Sequence, residues 1–323
     1  MAFVLPFPLI RCIIYGMGDK VKNALVVLGP TASGKTRLGV HLADALGGEI
    51  LGADSRQVYR GLDIGSGKDL NEYELNGHRI PFHLIDIAGL ESEFSVFAYQ
   101  KAFYDAFELV RARGALPIVV GGTGLYLEAV LKGYRMADVP PNPALRADLS
   151  ILSDDDLAKR LRKLRPALHN TTDLDDRERT VRAIEISEYT LIHPPEPAPE
   201  IHPLLLGVRW ERPLLQRRIA QRLKARLDAG LIEEVQHLHD YGYSWERLEL
   251  LGLEYRFVAQ YLQGVILNRN DLFQKLNAAI AQFAKRQETW FRRMERNGAD
   301  IQWLHRGDLS EAMAAIAASQ ELG

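Results

Sequence analysis

The segment GPTASGKT at residues 29–36 is the feature that most constrains this 323-residue chain. It matches the pattern G-x-x-x-x-G-K-[ST] without a mismatch, and it lies between an apolar run at 24–28 and an amphipathic stretch at 36–46. In that context, backbone N–H groups and a helix dipole converge on an anion. The segment therefore predicts a strand, a phosphate-binding loop and a helix.

Eight consecutive residues form this predicted loop for pyrophosphate or triphosphate: Gly29, Pro30, Thr31, Ala32, Ser33, Gly34, Lys35 and Thr36. Lys35 would neutralise the outer phosphate charge, and the Thr36 hydroxyl would hold Mg²⁺. A plain glycine-rich turn would not require lysine and threonine at those two places. The pattern does not distinguish the two ligands.

Further apolar runs predict the rest of a layered fold. The predicted strands are 24–28, 49–53, 83–87, 117–120, 204–208 and an edge strand at 301–304. The predicted helices are 36–46, 96–113, 125–131, 214–227, 232–238 and 272–294. This alternation predicts an α/β fold with a mostly parallel sheet flanked by helices, of the P-loop NTPase-like kind.

The alternation stops between residues 136 and 203, where the chain is dense in charge and ends in a proline-rich connector. We interpret 136–203 as a helical insertion between a catalytic core at 17–135 and its completion at 204–323. Residues 1–16 are apolar but too short and interrupted to span a bilayer. We interpret them as an extension or a translation-start artefact, with a membrane tether as the alternative.

The net charge of −2 excludes a uniformly basic nucleic-acid binder, but local basic segments exist. Residues 209–226 carry seven cations against one acid, and residues 159–182 carry eight against four. Such clusters suit RNA phosphates, although a solvated helix face is the common alternative. The single cysteine, Cys12, allows no internal disulfide and is typical of a reducing cytoplasm.

Two acids lie at the ends of predicted strands, Asp54 directly after 49–53 and Asp86 in the last part of 83–87, at the edge where such sheets bind ligands. Asp54 could be a Mg²⁺ ligand, a general base or the N-cap of a following helix, and its spacing does not decide. Asp86 could be a Walker-B-like aspartate or a turn residue. A second glycine-rich turn at 121–124 could offer backbone groups and the Thr123 hydroxyl to a substrate.

Taken in order, six stretches resemble the tRNA dimethylallyltransferase family. They are GPTASGKT (29–36), ADSRQVYRGLDIGSGK (53–68), HLIDI (83–87), GGTGLY (121–126), RRIAQRLKARLDAGLIEEV (217–235) and AKRQETWFRR (284–293). The resemblance implies that the loop binds the pyrophosphate of dimethylallyl diphosphate, and that the acceptor is N6 of the adenosine 3′ to the tRNA anticodon.

The resemblance also implies residue roles. Asp54 would be the general base, with Lys35, Thr36 and Arg222 completing the catalytic set and Arg218 a second phosphate-binding candidate. The implied tRNA contacts are Asp54, Ser55, Arg56, Gln57, Thr123, Arg146, Glu178, Arg179, Thr180, Val181 and Arg182. It further implies Mg²⁺ as cofactor and a flipped-out adenosine. We expect a cytoplasmic monomer.

Four departures from the family pattern concern tRNA preference: Phe82 in place of a histidine, GSGKD at 65–69, Ile280-Ala281 in place of Thr-Arg, and the sequence at 171–186. Three alternatives stay open. They are an enzyme that prenylates free adenine nucleotides, a P-loop kinase of a small metabolite, and a nucleotide-dependent tRNA-binding module without catalysis.

Overall fold

This computed structural model describes residues 22–133, 137–165, 174, 176–194 and 197–319. The segment 1–16, expected to be an extension, lies outside them. The chain divides into two compact units, one of Met1–Lys132 with Glu200–Gly323 and the other of Gly133–Pro199. Among the described residues, no helix has the length and apolar character needed to cross a bilayer.

The first unit is built on a six-stranded parallel sheet in the order β5-β2-β6-β1-β7-β8. Its strands are β1 (Ala24–Leu28), β2 (Gly48–Ala53), β5 (Phe82–His83), β6 (Leu116–Gly121), β7 (Pro203–Arg209) and β8 (Ile301–His305). A small antiparallel hairpin, β3 (Glu74–Leu75) and β4 (His78–Arg79), follows a 3₁₀ turn at Leu70–Tyr73. The predicted α/β fold with a mostly parallel sheet is confirmed.

Helices cover both faces of this sheet. They are α1 (Lys35–Leu46), α2 (Val96–Ala112), α3 (Gly124–Leu131), α7 (Arg212–Asp228), α8 (Leu231–Asp240), α9 (Trp245–Leu250), α10 (Leu253–Leu262), α11 (Arg269–Arg296) and α12 (Leu309–Ala318). Strand β1 shows why: Val26 and Leu28 belong to one apolar cluster, and Leu25 and Val27 to another. A strand buried on both faces needs a continuous apolar run, which the sequence supplies.

The predicted strand at 83–87 is wrong, because only its first residue is in a strand. Leu84 and Asp86 have positive φ values of 67° and 56°, which end the extended conformation after His83. The sequence analysis also did not predict α9, α10, α12 or the β3–β4 hairpin.

The second unit contains α4 (Pro143–Ser150), α5 (Asp154–Leu164) and α6 (Arg177–Ile192). Each begins at a side chain that accepts a backbone N–H, namely Asn142, Ser153 and Asp176. Such caps satisfy orphan donors at a helix start. A small core of Leu149, Leu157, Leu161, Ala183 and Ile184 joins the three helices.

Candidate active site

A cavity of about 770 Å³ opens where three central strands end. The phosphate loop follows β1, Asp54 follows β2, and Thr123 lies just beyond β6. Because these strands are parallel and adjacent, their carboxyl ends meet at one edge. The cavity is lined by these residues from the sequence prediction: Thr31, Ala32, Gly34, Lys35, Thr36, Asp54, Ser55, Arg56, Gln57, Thr123, Arg218 and Arg222.

The phosphate loop is held in a conformation that glycine and small residues allow. Gly34 has a φ of 89° and Ala32 a φ of 60°, so the chain turns sharply before α1. Behind the loop, Trp210 Nε1 donates to Ser33 O at 2.8 Å. Ser33 is buried, and Gly29, Pro30 and Ser33 do not line the cavity, so these three predicted loop residues shape the loop from behind.

Lys35 lines the cavity together with three arginines, Arg218, Arg222 and Arg226. Burial lowers the pKa of Lys35 to about 8, while Asp54 opposes the change and Arg222 adds to it. Burial therefore makes the charged form of the amine costly, and a bound anion would offset that cost. Lys35 and Asp54 both line the cavity, so the phosphate loop and the end of β2 border the same space.

Three arginines of α7 reach the cavity one helical turn apart. Arg218 Nε donates to Ala32 O at 2.8 Å, and its guanidinium lies 4.3 Å from the Trp210 ring centre. This side chain therefore stabilises the phosphate loop. Arg222 Nη2 donates to Gly67 O at 3.2 Å and to Asp69 Oδ2 at 2.9 Å. Arg222 therefore keeps nitrogen atoms available to an anion while one end is anchored.

Asp54 is fixed by a turn. Its Oδ1 accepts the Arg56 N–H at 2.9 Å, and the adjacent Ser55 N–H donates to Thr123 Oγ1 at 3.1 Å. The N-cap alternative is wrong, because residues 55–69 contain turns and no helix. The second Asp54 oxygen is left for a ligand in the cavity, as a base or a metal ligand requires.

Asp86 has a different environment. Its carboxylate pairs with the ammonium of Lys68, which is 2% exposed and also donates to Tyr59 O at 3.0 Å and to Asp63 Oδ1 at 2.8 Å. Asp86 does not line the cavity. Of its two sequence interpretations, the structure therefore favours a turn residue over a Walker-B-like aspartate.

The glycine-rich turn at 121–124 is shaped by helix α11. Gln287 Nε2 donates to Gly122 O at 2.9 Å, and its Oε1 accepts the Thr31 N–H at 2.8 Å. A Cβ atom at Gly124 would lie 2.3 Å from the Trp290 ring, so glycine is required by close packing. Gln287 thus ties the phosphate loop to the turn that carries Thr123.

Several cavity residues had no role in the sequence analysis. They are Gly65, Ser66, Asp69, Glu72, Gln221, Arg226, Glu249, Leu250, Gly252, Leu253, Glu254, Arg256, Ile280, Phe283, Arg286 and Gln287. Burial raises the pKa of Glu72, and Asp69 adds to the rise. The available signal for some of them was their position inside a quoted stretch, namely Gly65, Ser66 and Asp69 in 65–69, Gln221 and Arg226 in 217–235, and Arg286 and Gln287 in 284–287. The others, at 72, 249–256, 280 and 283, lie outside those stretches, and Ile280 is known only as a departure from the family.

The remaining predicted tRNA contacts belong to the second unit. Arg146 forms two hydrogen bonds with Glu185, at 3.0 and 2.9 Å, and Arg182 pairs with the same carboxylate. These bonds, with Arg146 first and the Asn142 N–H adding to them, lower the pKa of Glu185 to about 2 against the effect of burial. Both arginines therefore stabilise the unit itself, each with about half of its side chain or less exposed.

The other members of that predicted group lie in the first turns of α6. Glu178 and Arg179 are exposed, and Val181 packs partly against the unit's core. Thr180 is 4% exposed and its hydroxyl donates to Asp176 O at 3.0 Å, which directs it inward. Only part of the 178–182 segment is thus presented at the surface.

Comparisons with known proteins identify the family. Residues 57–294 match the family described as IPP transferase, and residues 22–89 match the one described as Isopentenyl transferase. The tRNA dimethylallyltransferase 1 of Geotalea uraniireducens is 60% identical over 282 residues, which cover 87% of this chain and 92% of that protein. This chain belongs to the tRNA dimethylallyltransferase family.

Solved structures agree with this assignment. The tRNA isopentenylpyrophosphate transferase from Bacillus halodurans has a TM-score of 0.68 and 32% identity, over 93% of this chain and 98% of that one. A eukaryotic dimethylallyltransferase acting on tRNA has a TM-score of 0.74 at 23% identity, over 93% of this chain and 79% of that one. The latter supports the fold alone. The family is one of prenyl-transferring enzymes, which favours that chemistry over the kinase and the non-catalytic alternatives.

Proposed function

We propose that this chain transfers a dimethylallyl group from dimethylallyl diphosphate to N6 of the adenosine 3′ to the anticodon in tRNA, and releases pyrophosphate. The observation that carries the proposal is that the phosphate loop and Asp54 line the same cavity. A leaving-group site and a base that share one cavity are what an allylic substitution requires.

The diphosphate would lie on the phosphate loop. Free N–H groups at the start of α1, the Lys35 ammonium and the Arg222 guanidinium all surround this part of the cavity. When the allylic C–O bond breaks, the electron pair leaves with pyrophosphate. Cations positioned in advance at the leaving oxygen stabilise that developing charge.

Asp54 would accept the proton of the acceptor. The N6 lone pair of adenosine is delocalised into the purine, so the amine attacks poorly until its proton is taken. As the N6–C bond forms, the proton passes to the Asp54 oxygen not held by Arg56. A base in this position contributes about 10²–10⁴ in rate.

Thr36 would supply its hydroxyl as a ligand to Mg²⁺. Among the described residues there is no group of three or more His, Cys, Asp or Glu side chains suited to a metal. The Thr36 hydroxyl lines the cavity beside Lys35, and it is an oxygen donor of the kind that Mg²⁺ prefers near phosphates. The ion would supply charge neutralisation to the leaving group.

The flipped adenosine would bind against the acceptor wall, which is the side of the cavity formed by residues 54–57, 65–69, 123 and 249–256. Gln57 Nε2 donates to Gly67 O at 3.0 Å, which leaves its Oε1 and its second N–H for the adenine edge. Ser55, Arg56 and Thr123 complete the predicted contacts on this side of the cavity. In the second unit, Arg146, Arg182 and the exposed Glu178 and Arg179 would contact tRNA.

We further propose that the enzyme acts in the cytoplasm, where its tRNA substrate is found, and as a monomer. The phosphate loop, Asp54 and the acceptor-wall residues all come from one chain.

The test is incubation with labelled dimethylallyl diphosphate, Mg²⁺ and unmodified tRNA, with AMP and ATP as competing acceptors. We expect label on tRNA, with little competition from either nucleotide. Label on AMP or ATP alone would replace the proposal with nucleotide prenylation. A lack of label on every acceptor, with consumption of ATP, would replace it with kinase chemistry.

A further inference from the structure

The carboxylate of Glu234 accepts four hydrogen bonds outside the cavity lining. Its Oε2 accepts the N–H groups of Asp63 at 3.2 Å and Ile64 at 2.6 Å. Its Oε1 accepts the Gly65 N–H at 3.0 Å and the Tyr255 hydroxyl at 2.7 Å. Three consecutive backbone donors on one carboxylate fix the path of this loop.

The same loop turns its carbonyl groups toward the cavity. Gly67 O accepts from Gln57 Nε2 at 3.0 Å and from Arg222 Nη2 at 3.2 Å. Gly65 O lies 3.4 Å from Arg226 Nη1. The position of residues 65–67 therefore sets the positions of one amide and two guanidinium groups that line the cavity.

The loop also packs closely against the side chains that it positions. Gly67 has a φ of 66°, and a Cβ there would collide with the guanidinium groups of Arg226 and Arg222. A Cβ at Gly65 would lie 2.5 Å from the Tyr255 ring. Close packing on one side and the carboxylate on the other hold the segment between two fixed surfaces.

We propose that Glu234 is a positioning residue, which acts through residues 63–67 to hold Arg222 and Gln57 in place for diphosphate and adenine. The proposal rests on the proposed function for the roles of those two side chains. Glu234 itself touches neither substrate.

A carboxylate is required because every partner of Glu234 is a donor. Burial raises the pKa of Tyr255 well above its usual range, and the Glu234 charge adds to the rise, so the phenol stays protonated and donates. A glutamine would place an NH₂ group against at least one of these donors and leave it unsatisfied. An isosteric Glu234→Gln change therefore weakens the anchor without opening a cavity in the core.

The test compares Glu234→Gln with Glu233→Gln, its exposed neighbour on the same helix turn. Binding of pyrophosphate with Mg²⁺ is measured by calorimetry, together with kcat and both KM values. We expect Glu234→Gln to weaken pyrophosphate binding roughly tenfold, as loss of charge-assisted bonds does, and to raise KM for tRNA. Glu233→Gln should match the wild type.

A double-mutant cycle separates positioning from general loss of stability. If Glu234 acts through Arg222, Glu234→Gln should have little further effect on pyrophosphate binding in an Arg222→Ala background. Additive effects, or a lower melting temperature with unchanged pyrophosphate affinity, would overturn the proposal. Tyr255→Phe removes one of the four bonds and should give a smaller shift in the same direction, so it decides the question if Glu234→Gln does not fold.

Pyrophosphate binding does not depend on the identity of the acceptor. A wild-type enzyme that binds pyrophosphate but transfers no dimethylallyl group to tRNA would contradict the proposed function only. An unchanged pyrophosphate affinity in Glu234→Gln, with normal transfer by the wild type, would contradict the positioning role only.

Discussion

The two walls of the cavity are built in different ways. The proposed phosphate wall comes mainly from one continuous segment, 29–36, with Lys35 and Thr36 in successive positions. The proposed acceptor wall is assembled from short pieces that are far apart in sequence, at 54–57, 65–69, 123 and 249–256. A local segment carries its geometry in its own backbone, whereas a dispersed wall depends on bonds between elements.

Those bonds are visible in the structure. Gln287 of α11 bonds to both Thr31 and Gly122, and Thr123 accepts from Ser55. The phosphate wall is thus coupled to the acceptor wall by a few hydrogen bonds rather than by sequence proximity. Substitutions in the phosphate wall should therefore change diphosphate binding, and substitution of Asp54 should change proton transfer. Substitutions of the residues that join the two walls should change both.

The largest effect should come from Asp54. Replacement by Ala removes the base but leaves the phosphate loop intact, so kcat should fall by about 10²–10⁴ while pyrophosphate binding is retained. Single-turnover rates and pyrophosphate calorimetry on the same preparation measure both quantities. An unchanged single-turnover rate would remove Asp54 from the mechanism.

Arg222→Ala should mainly affect the phosphate wall. Loss of a charge-assisted hydrogen bond costs about 1.5–3 kcal/mol, which corresponds to roughly tenfold to hundredfold weaker binding of dimethylallyl diphosphate. Lys224→Ala on the same helix is the matched control, because its side chain is 76% exposed. Equal losses in the two variants would show that only the general charge of α7 matters.

The phosphate wall should also respond to pH through Lys35. Since burial lowers the pKa of Lys35 to about 8, its charge is lost as the pH rises above that value. Pyrophosphate affinity should then decrease, approaching about tenfold per pH unit. Calorimetry between pH 7 and 9 tests this, and a Lys35→Met variant should lose this dependence.

The free energy of unfolding should depend on pH with the opposite sign to pyrophosphate affinity. The pKa of Lys35 falls from 10.5 to about 8 on folding, so the unfolded chain holds this proton more tightly. Below about pH 8 the folded protein carries the full cost of the buried charge, and the cost is relieved between about pH 8 and 10.5. In the absence of ligand, the Lys35 contribution to stability should therefore increase over that range.

The smallest effect should come from the second unit. Arg179→Ala removes one exposed cation, so tRNA binding should weaken about twofold to fivefold and the slope of log affinity against log salt should decrease by about one. Arg179→Lys keeps the charge and should stay near the wild type. A filter-binding series at several salt concentrations measures both, and an unchanged slope would place Arg179 outside the tRNA interface.

The sequence predicted the local parts of this enzyme well. The strand–loop–helix unit around Lys35 needs only neighbouring residues, and the apolar runs of β1 and β6 are long enough to show burial on both faces. The acid after β2 could be found for the same reason, although its spacing left three roles open. The turn in which Asp54 accepts the Arg56 N–H excludes the N-cap role.

The dispersed parts could not be predicted from local pattern. The strand expected at 83–87 ends early because Leu84 and Asp86 turn, and apolar composition does not reveal a positive φ. The Asp69–Arg222 pair joins residues 153 positions apart, and Gln287 lies 256 positions from Thr31. Such partners follow from tertiary packing, which local sequence patterns do not specify.

The most direct test of the two-wall account is a crystal structure with unmodified tRNA and a non-reactive thio analogue of dimethylallyl diphosphate. The account predicts the diphosphate on the phosphate loop with Arg222 bonded to it, and N6 of the flipped adenosine within about 3 Å of the free Asp54 oxygen. An adenosine bound elsewhere, or a diphosphate away from Lys35 and Thr36, would contradict the account.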